Sequence, residues 1–400
     1  MKQDKLFFIL FIAFFSVFVY FMMDFWILYY VTKLQYGRDV SDSLGKSSMG
    51  KSLLLLDIYC LLFIVFNYIQ NVKRKWIIIV CYIWIVVMVI VNYHAKFSIV
   101  TYATTILWPI LFLTSYQLCL ADTKTFTLLR NYFVVIFVIG TTYFLQFRFL
   151  YLDRQTNTIY LSIFILPWIL CVNKKYHLLI LLLCSLLAFL SMKRSVMLAF
   201  LMIWIMYLFF TYKNKSRFVN VWPFVFSLLT LFILYDTING MMGNALSERV
   251  FREETDEGRN RLAIYEVTTA MILESDLTSL LLGHGHYGVY KDSILQISAH
   301  NDLLECIYDY GLVIFLFYIY LWFYLFRRCF QLYKSKSSFF FPYAASIALF
   351  VCQSMFEHLL LYTSWFNYLV IFWGSIEAMI KRSADIRKKK SVIALYKRIG

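Results

Sequence analysis

The chain has 400 residues and a formal net charge of +15, with 62% hydrophobic and only 15% charged residues. Soluble domains usually run at about 45–50% apolar and about 25% charged, so these values exclude a large soluble all-α protein. They leave an all-α polytopic membrane protein, whose basic excess must be judged by where it sits.

A helix needs roughly 20 apolar residues to cross the hydrocarbon core. The pattern predicts about twelve such spans, at 6–30, 52–71, 76–93, 98–121, 131–150, 157–173, 176–191, 195–212, 219–239, 303–326, 339–361 and 363–380. The apolar run of the first, Leu6 to Met23, exceeds the roughly 7–15 residues of a cleaved signal core, and no small-residue cleavage site follows. It is expected to remain as an anchor. The eight cysteines lie in or beside spans without Cys-x-x-Cys spacing, so neither a disulfide framework nor a thiolate metal site is expected.

Basic residues alternate along the chain. With the N-terminus inside and twelve spans, 24 of the 38 fall on the inner side, which predicts two cytoplasmic termini. The tail Arg387-Lys388-Lys389-Lys390 suits anionic headgroups at about 1 kcal/mol per charge, and no nucleic-acid partner is expected. The expected organisation is a membrane domain over 1–239 (about nine spans), an extracytoplasmic loop over 240–302, further spans over 303–380 and a basic cytoplasmic tail over 381–400. The loop holds 10 of the 23 acidic residues and six of the 13 glycines. Loops of that length in compact proteins are usually functional. Within it, residues 259–275 predict an imperfect amphipathic helix along the membrane surface, with Leu262, Tyr265, Ala270 and Ile272 as its apolar positions.

Three groups on the expected outer face carry chemistry. Lys193-Arg194 sits between two apolar runs, against the positive-inside trend. Arg near a bilayer usually pairs with something, so the choice lies between snorkelling cations and an anionic ligand. In Gly258-Arg259-Asn260-Arg261, either guanidinium offers the planar fork that suits phosphate, or else pairs with Glu253, Glu254, Asp256 and Glu257. His300 stands at the boundary between the loop and the next span. Asp302 is expected as N-cap of that helix, with Glu305 three residues on as in a capping box. The positive end of the helix dipole would disfavour an imidazolium, leaving His300 neutral as a base. Two weaker signals accompany these. His284 and His286, with His300, suggest a three-imidazole zinc site, but Gly-His-Gly-His-Tyr-Gly reads better as a tight turn needing positive φ. Glu357-His358, at the outer end of the eleventh span, could face the same cavity.

Taken in order, these motifs resemble a known family. They are Arg194 between two spans, Gly258-Arg259 opening a helical outer loop, Leu282-Gly283-His284-Gly285-His286-Tyr287-Gly288, His300-Asn301-Asp302-Leu303-Leu304-Glu305 and Tyr310-Gly311-Leu312. The chain looks like the O-antigen ligase and polysaccharide polymerase superfamily of bacterial envelope enzymes, in motif over roughly residues 185–325. The resemblance implies a metal-independent glycosyltransferase without cofactor in the cytoplasmic membrane, acting at the outer face. Its donor and acceptor would be oligosaccharides linked to undecaprenyl pyrophosphate, with chain-length regulator and flippase proteins as partners. His300 takes the place of the family histidine. Arg194 and Arg259 take those of the pyrophosphate-binding arginines, with Arg261 competing because Leu262 stands where Trp is frequent. Lys193, Asn301, Asp302, Glu305, Glu357 and His358 would support them. The expected product is O-antigen, capsule or exopolysaccharide. A ligase attaching glycan to the lipid A core of lipopolysaccharide shares the chemistry. A flippase for lipid-linked sugars should show repeats and broken mid-membrane helices. No repeat is visible, and the chain has only four prolines.

Overall fold

The computed structural model describes residues 2–36, 48–71, 108–150, 157–212, 217–241, 261–357, 359 and 363–399. Every regular element among them is helical. In chain order these are α1 Lys2–Tyr36, α2 Ser48–Asn71, α3 Trp108–Ala121, α4 Thr123–Leu150, α5 Tyr160–Ile163, α6 Leu166–Leu170, α7 His177–Ser191, α8 Arg194–Tyr212, α9 Arg217–Met241, α10 Arg261–Glu274, α11 Leu277–Leu282, α12 Gly288–Asp292, α13 Asp302–Lys334, α14 Phe340–Phe356 and α15 Thr363–Ile399. In a bilayer core no water is available to bond exposed peptide groups, so a chain this apolar has to satisfy them within helices.

Among the described residues, five helical segments are long and apolar enough to span: Lys5–Asp24, Thr123–Phe149, Lys174–Ser191, Arg194–Thr211 and Asp302–Lys334. Three shorter apolar helices, Trp108–Ala121, Tyr160–Leu170 and Phe340–Phe356, fall where spans were expected. The expected span 76–93 and the start of 98–121 lie outside the described residues. Three expectations change in detail. The segment 157–173 folds as short helical pieces rather than one rod. The final span and the basic segment after it form one continuous helix, α15, to Ile399. The span at 303–326 is part of α13, which breaks at Gly311 (φ 77°, ψ 172°).

The helices form two compact units. In the first (Met1–Ile83, Ser98–Phe133, Phe366–Gly400), Phe11, Phe15 and Phe18 of α1 are fully buried. Phe15 meets Phe133 and Tyr368 edge-on, both at 5.6 Å between ring centroids. Gly374 has no side chain to hold α15 away from Ser115 of α3, the small-residue device of membrane helix packing. The described cysteines are free, among them buried Cys60 and Cys119.

The second unit (Trp84–Phe97, Val134–Trp365) carries α10 to α12, between the longer helices α9 and α13. Here α14 packs on α6, α8 and α13, and α8 packs on α7. Buried Trp204 of α8 donates its indole N–H to Ser185 of α7 at 2.8 Å, so a polar atom is matched inside the apolar contact.

Candidate functional site

The break in α13 shapes one end of the second unit. Gly311 and Gly283 (φ 83°, ψ 169°) both occupy backbone regions essentially reserved for glycine. A Cβ on either would overlap the other segment's backbone: Leu281 and the Gly283 nitrogen for Gly311, Asp309 and Tyr310 for Gly283. The break leaves carbonyls without helical partners. The His284 and Gly285 N–H groups take them, bonding the Tyr308 and Asp309 oxygens at 2.9 and 2.8 Å. The Gly-His-Gly-His run is thus a turn with positive φ at Gly283, Gly285 and Tyr287, docked into a broken helix.

Its imidazoles are occupied in that packing. His284 stacks on Tyr308 at 4.1 Å and shares a 2.9 Å hydrogen bond with Ser275 Oγ. His286 is buried and hydrogen-bonds the Tyr310 hydroxyl through Nδ1. Burial, with Lys291 nearby, pushes the His286 pKa down to about 3. Among the described residues, no three His, Cys, Asp or Glu side chains group so as to hold a metal ion.

Helix α10 is amphipathic with a phase that differs from the expected one. Ile264 and Thr268, one turn apart, are buried. Ile264 joins Val289, Ala299 and Tyr308, with Met271, Ile272 and Leu304 packed around them. Leu262 instead points outward, 64% exposed. The helix packs onto α13, and this contact sets its apolar face.

At the start of α13 the cap is Asn301, one residue earlier than expected. Asn301 Oδ1 accepts the Leu303 N–H at 2.9 Å and the Leu304 N–H at 3.4 Å. Asp302 is unavailable as a cap because it is buried and accepts a 3.0 Å bond from the Tyr318 hydroxyl. Glu305 still reaches back, but to the His300 N–H (3.2 Å) rather than to the cap residue. That bond holds His300 in a left-handed conformation (φ 53°), which is uncommon outside glycine although histidine tolerates it better than most. Asn301, Asp302 and Glu305 thus act together to present His300 at the helix mouth.

Lys193 and Arg194 occupy the tightest of turns. Met192, left-handed at φ 56°, ends α7, and α8 begins at Arg194. Ser191 Oγ receives the Lys193 N–H at 3.2 Å. Both basic residues are half-buried.

Glu357, just past α14, draws the parts together. Its Oε1 accepts the Ser195 hydroxyl at 3.1 Å and lies 3.8 Å from Lys193 Nζ; its Oε2 lies 4.0 Å from His300 Nδ1. Tyr265 of α10 adds a second tie, donating its hydroxyl to the Met355 carbonyl at 3.2 Å. Burial raises its pKa, opposed by Arg261 and Asn301 and reinforced by Glu305 and Glu357. Arg261 lies one helical turn before Tyr265 on α10. Lys193, Ser195, His300 and Glu357 meet at one end of the second unit, where Tyr265 also reaches Met355, and Arg194 opens the Lys193 turn. Arg259 and His358 lie outside the described residues.

Three contributors were missed from sequence. Ser195 is legible only as the neighbour of Lys193-Arg194, and Tyr265 only as the residue one turn after Arg261. Arg148 is a buried cation within a predicted span, itself a functional signal. Its guanidinium reaches Met192 Sδ at 3.0 Å, directly before Lys193.

Chemically, the arrangement combines an imidazole 34% exposed at its side chain, a carboxylate facing it and cations around them. Such a set can take a proton from an approaching hydroxyl while holding an anion. Residues 179–319 match the family described as O-antigen ligase. That segment runs from α7 into α13 and contains Lys193, Arg194, Ser195, Tyr265 and His300, while Glu357 lies beyond it. No curated protein and no solved structure matches the chain.

Proposed function

Starting from that match, we propose that the protein is a polysaccharide polymerase at the outer face of the cytoplasmic membrane. It transfers a growing glycan from undecaprenyl pyrophosphate to the non-reducing-end sugar of the next lipid-linked repeat unit, building O-antigen, capsule or exopolysaccharide. The observation that carries this reading is the convergence of His300, Glu357 and Lys193 at one loop-to-span boundary, inside or beside the matched segment.

In this mechanism His300 takes the proton of the acceptor hydroxyl, which raises that oxygen's nucleophilicity as it attacks the anomeric carbon. The leaving pyrophosphate gains negative charge as the glycosidic bond breaks. Arg194 and the loop arginine, Arg259 or Arg261, neutralise it from preorganised positions. The place of Arg261 at the start of α10, one turn before Tyr265, supports Arg261 for this role. Attack on the face opposite the departing phosphate inverts the anomeric centre. Both termini lie in the cytoplasm on this reading, which the distribution of basic residues supports, and the chain works with chain-length regulator and flippase partners.

The family description favours a second reading, a ligase that transfers finished glycan to the lipid A core. The glycan profile of a deletion strain separates the two. A single repeat unit on its carrier supports the polymerase, whereas full-length polymer stranded on undecaprenyl carrier and absent from core supports the ligase. An unchanged profile contradicts both.

A further inference from the structure

Glu357 faces two ways, and its geometry is unusual for a residue whose only task is to orient a histidine. One carboxylate oxygen is held by Ser195 (3.1 Å) and lies near Lys193 (3.8 Å). The other faces His300 Nδ1 from 4.0 Å, beyond the roughly 2.7–3.2 Å of a formed hydrogen bond. The residue follows the end of α14 in extended conformation (φ −145°, ψ −166°), its N–H tied to the Gln353 carbonyl at 2.9 Å. The Lys193 and Glu357 side chains are only 13% and 18% exposed, so their attraction is screened less than that of a surface pair. Lys193 Nζ also lies 5.9 Å from the centre of the Tyr160 ring.

A carboxylate bonded to Nδ1–H does two things for a histidine base. It fixes the tautomer that leaves Nε2 open to accept a proton, and it stabilises the imidazolium that results. Glu357 can do neither fully while its charge is shared with Lys193. A pyrophosphate at the Lys193-Arg194 turn competes for that lysine, because its negative charge exceeds that of one carboxylate.

We propose that Glu357 is a positioning residue that couples donor occupancy to the proton affinity of His300. With the turn empty, Lys193 holds the carboxylate. With a pyrophosphate in place, Lys193 turns to the anion and Glu357 closes on Nδ1. The acceptor hydroxyl then gives its proton to Nε2, and its oxygen forms the bond to the anomeric carbon. The bond from that carbon to the phosphate oxygen breaks, its electron pair leaving with the lipid pyrophosphate. His300 becomes a competent base only when a donor is present. This deepens the proposed function and rests on its assignment of His300 as base.

The test uses the purified full-length protein and inorganic pyrophosphate as probe. Carbethoxylation of the His300 peptide by diethyl pyrocarbonate, followed by mass spectrometry from pH 5 to 9, gives the titration midpoint of this one imidazole. Among the described residues, Glu357 faces the ring, Glu305 bonds its backbone N–H and Lys193 lies beside Glu357, so each comparison is made against a single variant. Wild type should move its midpoint upward by about one pH unit when pyrophosphate is added. Glu357→Gln should retain under a third of that rise, the part due to the anion's own field. Glu357→Asp, with a shorter reach, should fall between them and guards against misfolding of the amide variant. Lys193→Met should start with a raised midpoint and respond weakly. Equal rises in wild type and Glu357→Gln, or no rise in either, overturn the coupling. Loss of the base role itself would appear separately, as normal polymer from His300→Ala.

Discussion

Two histidine-bearing regions before and at the start of α13 lie about fifteen residues apart and do opposite work. In the 283–288 turn, His284 and His286 are packed against Tyr308 and Tyr310, and their nitrogens serve a helix break. At the mouth of α13, His300 is lifted into a left-handed conformation, its side chain 34% exposed and faced by a carboxylate. The difference is one of surroundings rather than residue type. An imidazole stacked and hydrogen-bonded within a turn stabilises it, whereas one held by its backbone N–H and faced by a carboxylate keeps its chemistry available.

The comparison can be broken most forcefully at the glycines. Gly311→Ala puts a methyl into the backbone of residues 281–283 and demands a φ that L-residues avoid. It should cost about 4 kcal/mol or more, seen as loss of membrane-inserted protein and of thermal stability. An unaltered melting transition would show that the turn and the broken helix do not lock together as described.

Arg194→Lys comes next, and it acts on the other region. A point charge cannot replace a two-pronged donor, so transfer should fall about 10–100-fold, or about 1.4–2.7 kcal/mol, with the protein's amount unchanged. Activity at the wild-type level would make this residue a snorkelling cation.

His286 gives a prediction in pH. Its folded-state pKa, about 3, lies below the ordinary histidine value of 6.5, so the unfolded chain binds the proton first as pH falls. Above pH 6.5 both states are neutral and the residue contributes no pH dependence. Below it the folded state loses up to about 1.4 kcal/mol per pH unit until about pH 3. His286→Gln should flatten that part of the stability profile relative to wild type, as measured by melting temperature from pH 7 to 4. Identical slopes would place His286 in a wetter setting than the one described. The smallest effect belongs to His284→Phe, which keeps the stack on Tyr308 and loses one hydrogen bond to Ser275. A loss of about 1 kcal/mol in stability with full transfer activity per folded molecule is expected.

Much of this architecture was legible in the sequence, because it depends on local chemistry. Apolar runs bounded by charge announced the helices, the glycines of 283–288 announced a positive-φ turn, and His300 stood out where a polar loop meets an apolar helix. What could not be read depends on distant contacts. Asn301 and Asp302 are equally able to cap, and only the Tyr318 hydroxyl, sixteen residues on, removes Asp302 from contention. The inward face of α10 is chosen by α13, so Ile264 is buried and Leu262 is not. Gly311 in an apolar run looks like a tolerated helical glycine until the 281–283 backbone arrives beside it. Glu357 meets Lys193 and Ser195 across more than 160 positions, so their pairing has no signature in spacing.

The account stands or falls most directly on the glycan ladder made by His300→Ala, expressed in a deletion strain at wild-type membrane levels. Loss of general-base help should cut chain extension by about 10²–10⁴-fold, leaving single repeat units or a collapsed ladder. A ladder of normal length and intensity would contradict the assignment of His300 as the base.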